Sequence, residues 1–141
     1  MSGRADERLS GLQLGVLRAL WSAGEATVQG VRDSLADERP LAPTTVATLL
    51  KRLEARGLVT HRREGRQFVY RATETARDVE SSMVAGLVRD VFGGRTEDLF
   101  AHLLTSDEVT DEELERVRRM IEERAGRESE SHDPGDRPAS G

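Results

Sequence analysis

The hydrophobic period changes once, abruptly, inside LAPTTVATLLKRLEARGLVTHRREGRQFVYRA, residues 41–72. Val46, Leu49, Leu50 and Leu53 recur at helical spacing and make a single apolar stripe. Pro43 stands at a first helical position, where its missing N–H costs nothing, and Gly57 follows as a left-handed cap. Beyond it the period drops to two: LVTHRR and QFVYRA read as short strands joined through Glu64-Gly65-Arg66. A helix running directly into a hairpin must share its core with one face of that hairpin. With two helices ahead of it, this is the layout of a winged helix-turn-helix, a mainly α fold with one small β-hairpin.

The chemistry of the stretch points to DNA. Thr44, Thr45, Thr48, Lys51, Arg52 and Arg56 lie mostly off the apolar stripe, giving the helix a small, hydroxylated, basic face. About fourteen residues at 1.5 Å each give ~20 Å, enough to lie in a major groove. Threonines near its start suit phosphates or a thymine methyl, and Arg52 suits a guanine edge or a phosphate. Arg62, Arg63 and Arg66 have no apolar partner to cover and read as a wing on the sugar–phosphate backbone. His61 is either a phosphate contact or simply exposed. Leu58, Phe68 and Tyr70 are core candidates, because one hairpin face has to pack on the helices.

The formal charge of −5 is not that of a DNA binder until it is divided. Residues 1–75 hold 12 Lys/Arg against 9 Asp/Glu, whereas residues 76–141 hold 9 against 17. Residues 43–72 alone hold 7 against 2. A basic module is attached to an acidic one, and the acidic half is expected to hold subunits together. With no cysteine in the sequence, disulfides, thiolate metal sites and thiol redox chemistry are excluded. The charged N-terminus does not read as a signal peptide and no apolar run nears a membrane span, so a cytoplasmic location is expected.

In chain order, Ser10-Gly11-Leu12-Gln13 fits a capping box between staple residues Leu9 and Leu14. The first helix then buries Leu12, Val16, Leu17, Leu20 and Trp21, the last as a clamp onto the hairpin. Thr27 caps a second helix with Val28, Val31 and Leu35 inward. The DNA-binding domain is expected over 1–73 and a helical dimerisation region over 74–125. In that region Val79, Met83, Val84, Leu87, Val88, Val91 and Phe92 form a wide face with no strands to cover it. After the Gly93-Gly94 break, Leu99, Phe100, Leu103 and Leu104 belong to a short helix. Val109 to Leu114 supply a second staple and capping box before a last helix with Leu114, Val117 and Ile121 inward. These faces, chiefly Val79, Met83, Leu87, Val91, Phe92, Leu99, Leu103, Leu114, Val117 and Ile121, are expected at a homodimer interface. The Gly/Ser/Pro-rich residues 126–141 are expected to be disordered.

These pieces together resemble the penicillinase repressor family of bacteria, the BlaI/MecI type, which also includes copper-transport repressors. The resemblance rests on LSGLQLGVLRALWSAG, TTVATLLKRLEARGLVTHRREGRQFVY, the FGG break and SDEVTDEELERVRRMIEE, and spans residues 9–124. It implies a homodimeric repressor on an inverted-repeat operator, with the helix in the major groove, the wing on the backbone and the C-terminal helices dimerising. By position, Thr44, Thr45, Thr48 and Arg52 match groove and phosphate contacts, with Pro43 and Lys51 beside them. Ala47 stands where some relatives place a basic base-reading residue, so an operator sequence does not carry over. Relatives of the β-lactam type are inactivated when a membrane sensor-protease triggers cleavage of an Asn–Phe bond, in response to β-lactam or cell-wall stress. The matching bond here is His102–Leu103. The copper branch carries a C-terminal cysteine motif that this chain lacks.

An enzyme is the poorer reading. His61, His102 and His132 fall on a strand, a helix and the tail, and no nucleophile–base grouping, phosphate loop or carboxylate pair is placed for catalysis. No cofactor or metal site is expected. Two alternatives keep the fold: a winged-helix regulator answering to another ligand or a metal, and a winged helix used for protein contact.

Overall fold

The computed structural model describes residues 9–131. The first helix, α1 (Gly11–Ala23), begins as its sequence demands. The Ser10 hydroxyl accepts from the Gln13 N–H at 3.1 Å while the Gln13 side chain accepts from the Ser10 N–H at 2.9 Å, so two otherwise orphaned donors are satisfied reciprocally. Thr27 caps α2 (Val28–Leu35) by accepting from the Gly30 N–H at 3.1 Å. The third helix, α3 (Pro43–Ala55), has Pro43 in its first turn and an Ala42 N-cap whose methyl accepts nothing.

The end of α3 fixes where the wing begins. Gly57 takes φ 77°, its N–H reaches the Glu54 carbonyl at 2.9 Å, and the Leu58 N–H reaches the Leu53 carbonyl at 3.0 Å. That pair of bonds is a Schellman motif, which stops the helix and turns the chain. Strand β1 (Val59–Glu64) then pairs antiparallel with β2 (Gln67–Ala72), from Val59↔Ala72 at the base to Glu64↔Gln67 at the tip. The turn residues are Gly65 and Arg66, and only Gly65 has positive φ, at 63°. This is the pattern of a type II′ turn, whose twist suits a hairpin. Ala26 adds a one-residue third strand, exchanging 2.9 and 2.8 Å bonds with Tyr70 on the other edge of β2.

Helices α1, α2 and α3 and the base of the hairpin enclose one core. Val16, Val31, Val46, Leu50 and Leu53 are entirely buried, with Leu17, Leu20, Leu58 and Val59 nearly so. Trp21 is partly buried, and its indole N–H donates to the Glu74 carbonyl at 2.9 Å. It thus clamps α1 to the segment leaving β2, one step beyond the hairpin itself. Tyr70 is buried as expected, but Phe68 is not: it is 45% exposed. The two share a strand face, yet Phe68 lies two residues nearer the tip, beyond the part of the hairpin that packs on the core.

Thr75 caps α4 (Ala76–Asp90), accepting from the Asp78 N–H at 3.1 Å. The chain divides into two compact units at Gly94/Arg95 rather than after residue 73. Val79 is the reason: it is 1% exposed and completes the core of the first unit, with Met83 packed against it. Hence α4 does find cover within its own chain for its first two turns. The second unit holds α5 (Thr96–Leu104) and α6 (Asp111–Ser131). Thr110 caps α6 by accepting from the Glu113 N–H at 3.1 Å. The disorder expected from residue 126 does not begin there, since α6 runs on to Ser131. Pairs three and four residues apart, including Arg118–Glu122 at 3.6 Å and Arg124–Glu128 at 3.3 Å, support this solvent-exposed helix. Residues 132–141, and His132 with them, lie outside the described residues.

Candidate nucleic-acid interface

Burial of Val46, Leu49, Leu50 and Leu53 fixes the rotation of α3 and therefore which residues it presents to solvent. Pro43, Thr44, Thr45, Ala47, Thr48, Lys51 and Arg52 are all exposed. Because Ala42 supplies no side-chain cap, the first-turn N–H groups of α3 are open to an incoming acceptor. The Thr48 hydroxyl donates back to the Thr44 carbonyl at 2.9 Å, so it offers an acceptor and a methyl outward rather than a free donor. Among the described residues, the side chains of Lys51 and Arg52 have no ion-pair or hydrogen-bond partner. Glu54 is the acid on this helix, and it is engaged: the His61 Nδ1 lies 2.7 Å from both its carboxylate oxygens.

His61 is therefore neither a lone exposed ring nor free for phosphate. It joins β1 to α3 while its ring packs against Phe68 at 4.5 Å and Tyr70 at 5.3 Å between centroids. Burial pushes the Tyr70 phenol above its ordinary pKa, and the nearby Glu54 carboxylate adds to the shift. The exposed Phe68 thus packs on the His61 ring next to the His61–Glu54 link.

The three arginines near the wing tip are not equivalent. Arg66 sits in the turn with no partner among the described residues. The Arg63 Nε donates to the Gly65 carbonyl at 3.3 Å, within the tip itself. Arg62, on the opposite strand face, makes a two-pronged pair with Glu25, at 2.8 Å for Nη2–Oε1, and a further bond to Glu64 at 3.0 Å. That pairing holds the Glu25 carboxyl below its ordinary pKa, chiefly through the hydrogen bond from Arg62, and raises Arg62 in turn. Glu25 and Ala26, which tie the α1–α2 connection to the wing, carry no periodic or compositional signal in the sequence.

The family profile described as "Penicillinase repressor" matches residues 9–123. The chain belongs to the penicillinase repressor family. As a member it is a transcriptional repressor with a winged-helix DNA-binding fold. It is 34% identical over 122 residues to the transcriptional regulator BlaI of Mycobacterium tuberculosis, covering 82% of this chain and 84% of that one. It is 24% identical over 123 residues to the penicillinase repressor of Bacillus licheniformis, covering 87% and 96% respectively. The solution structure of the DNA-binding domain of the repressor BlaI aligns at 30% identity over 50% of this chain and 87% of that chain, with a TM-score of 0.46.

The remaining family positions fall as follows. Leu87 and Val91 on the distal part of α4 and its end are 42% and 53% exposed, with Val84 at 51% beside them. Phe92, Leu99, Leu114 and Val117 are half-buried, while Leu103 and Ile121 are exposed. Val79 is committed to the intramolecular core and offers a partner nothing. His102 and Leu103 both lie within α5, in regular helix. No cluster of three or more His, Asp or Glu side chains suited to a metal occurs among the described residues, and no described helix is long and apolar enough to cross a membrane.

Proposed function

We propose that this penicillinase-repressor-family protein binds an inverted-repeat operator as a homodimer, with α3 in the major groove and the tip of the wing on the adjoining backbone. The observation that carries the reading is the sidedness of α3. Four apolar residues lock it into the core, and its other face is small, hydroxylated or basic apart from Glu54, which is paired with His61. Thr44 and Thr45 approach phosphate together with the open first-turn N–H groups. Ala47, Thr48, Lys51 and Arg52 face the base edges, and Arg63 and Arg66 hold the backbone from the wing.

Dimerisation uses the distal α4, α5 and α6. Exposed Val84, Leu87, Val91, Phe100, Leu103, Leu104, Met120 and Ile121 are more apolar surface than a monomer leaves in water without use. Two recognition helices related by a dyad then meet major grooves about 34 Å apart. Release follows from weakening that association, because a single half-site binds poorly. Proteolysis at His102–Leu103, triggered by a membrane sensor-protease, is the family-type route. It requires local opening of α5 before the bond can enter a protease.

Arg52→Ala tests the assignment of α3. Binding should weaken by about 1–3 kcal/mol and preference should flatten at one operator position, read by titrating single-base operator variants. An equal loss on every sequence would reassign Arg52 to phosphate, and no loss on any would remove α3 from the groove.

A further inference from the structure

The wing carries four arginines, Arg62, Arg63 and Arg66 toward the tip and Arg71 nearer the base, and they are not paired alike on its two faces. Register places Arg63 opposite Phe68 and Arg62 opposite Val69, so the two arginines point to opposite sides of the hairpin. On the Arg62 side, Glu25 and Glu64 both bond the guanidinium, so these three side chains sum to one minus, with Arg71 on the same face adding only its charge near Glu25. The Glu25 contact is the fork-on-fork geometry by which an arginine also takes a phosphate.

We propose that Glu25 acts as an internal substitute for phosphate. It keeps Arg62 occupied in the DNA complex, so that the wing grips the backbone through Arg63 and Arg66 alone, and it limits affinity for DNA in general. This rests on the operator-binding reading above and refines it. Turning Arg62 onto a DNA phosphate would leave both carboxylates without their hydrogen-bonded partner beside a polyanion, with only the charge of Arg71 near Glu25, so the swap gains one attraction and exposes two acids to the DNA. The pair is about half exposed, at 50% for the Arg62 side chain and 47% for Glu25, so substitutions there can change charge without opening the core. Glu25 follows the α1 cap Gly24 and precedes Ala26, whose bridge to Tyr70 holds the carboxylate beside the wing.

The test uses the full chain and a labelled duplex of arbitrary sequence, with anisotropy titrations across a series of salt concentrations. The slope of log affinity against log salt counts phosphates neutralised, at ~0.9 per contact. Arg62→Gln should leave that slope unchanged, whereas Arg66→Gln should make it shallower by ~0.9. Glu25→Gln, and Glu25→Ala as its partner variant, should tighten binding at low salt and steepen the slope by ~0.9 as Arg62 becomes available. The double variant Glu25→Gln/Arg62→Gln should return to the wild-type slope. A merely structural role for the pair could shift affinity but not the slope. A shallower slope for Arg62→Gln, or no steepening for both Glu25 variants, would overturn the proposal. If the wild-type chain shows no salt-dependent binding at all, it is the DNA-binding reading that fails.

Discussion

Gly57 joins the two parts of the interface, and replacing it by alanine isolates what that joint is worth. At φ 77° it occupies the left-handed region, where a Cβ crowds the following carbonyl oxygen. The cost for an L-residue there is about 1–2 kcal/mol. Escaping the cost by changing φ would break the Gly57–Glu54 and Leu58–Leu53 backbone bonds that end α3. Gly15 provides the opposite case in the same unit. It lies inside α1, does not have positive φ, and an added Cβ would meet Leu35 Cδ2 at 3.5 Å, an ordinary contact. Gly15→Ala should therefore stabilise by roughly 0.5–1 kcal/mol, the usual helical gain. Urea denaturation followed by far-ultraviolet circular dichroism would read both, with m unchanged and the midpoints moved in opposite directions. In a thermal melt, each kcal/mol corresponds to roughly 4–8 °C for a domain of this size. A Gly57→Ala protein as stable as wild type, or a Gly15→Ala protein less stable than Gly57→Ala, would refute the reasoning.

Three further outcomes are expected. Trp21→Phe removes the only side-chain donor seen on the Glu74 carbonyl among the described residues and should cost about 1 kcal/mol, beyond the loss of contact area, in the same denaturation assay. The Glu25 carboxyl is held below its ordinary 4.5 when folded, so its pairing with Arg62 contributes above 4.5 and is lost as pH falls through the lower folded value. A carboxyl-carbon NMR titration should place Glu25 below 4.5 in wild type and return it toward 4.5 in Arg62→Gln, while a wild-type value at or above 4.5 would deny the pairing in solution. Truncation before Arg95, where the second unit begins, should weaken self-association in sedimentation velocity and operator affinity together. A truncated chain that stays dimeric with full affinity would remove α5 and α6 from the dimer.

What the sequence made legible was what local physics decides. The Ser10, Thr27 and Thr110 caps, the α3 stripe, the Gly57 stop and the Gly65 turn all depend on residues within a few positions of one another, and each appears where the pattern placed it. Phe68 was misread because burial on a strand depends on how far the helices reach beneath it, which no alternation encodes. Val79 looked like part of a dimer stripe because the whole face of α4 is apolar, and only the path of the chain puts its first turns against the core. The helix through Gly126 was hidden by composition, although Arg124 and Glu128 stood at pairing distance in the sequence. Least legible was the sorting of the basic residues. Arg62 and Glu25 are 37 positions apart, and His61 meets Glu54 across the joint between helix and wing. A count of charges over residues 43–72 therefore conveys the basic character of the region but overstates how many of its arginines lack an acidic partner.

In the proposed function, α3 and the wing form a sequence-reading DNA surface presented twice by a dimer. Fluorescence anisotropy of the full chain against its own promoter region and a scrambled duplex, across a salt series, tests that most directly. The account predicts binding by two protomers, a clear preference for the promoter, and a log–log salt slope of about −0.9 for each phosphate contacted. Weak binding, equal on both duplexes, would contradict it.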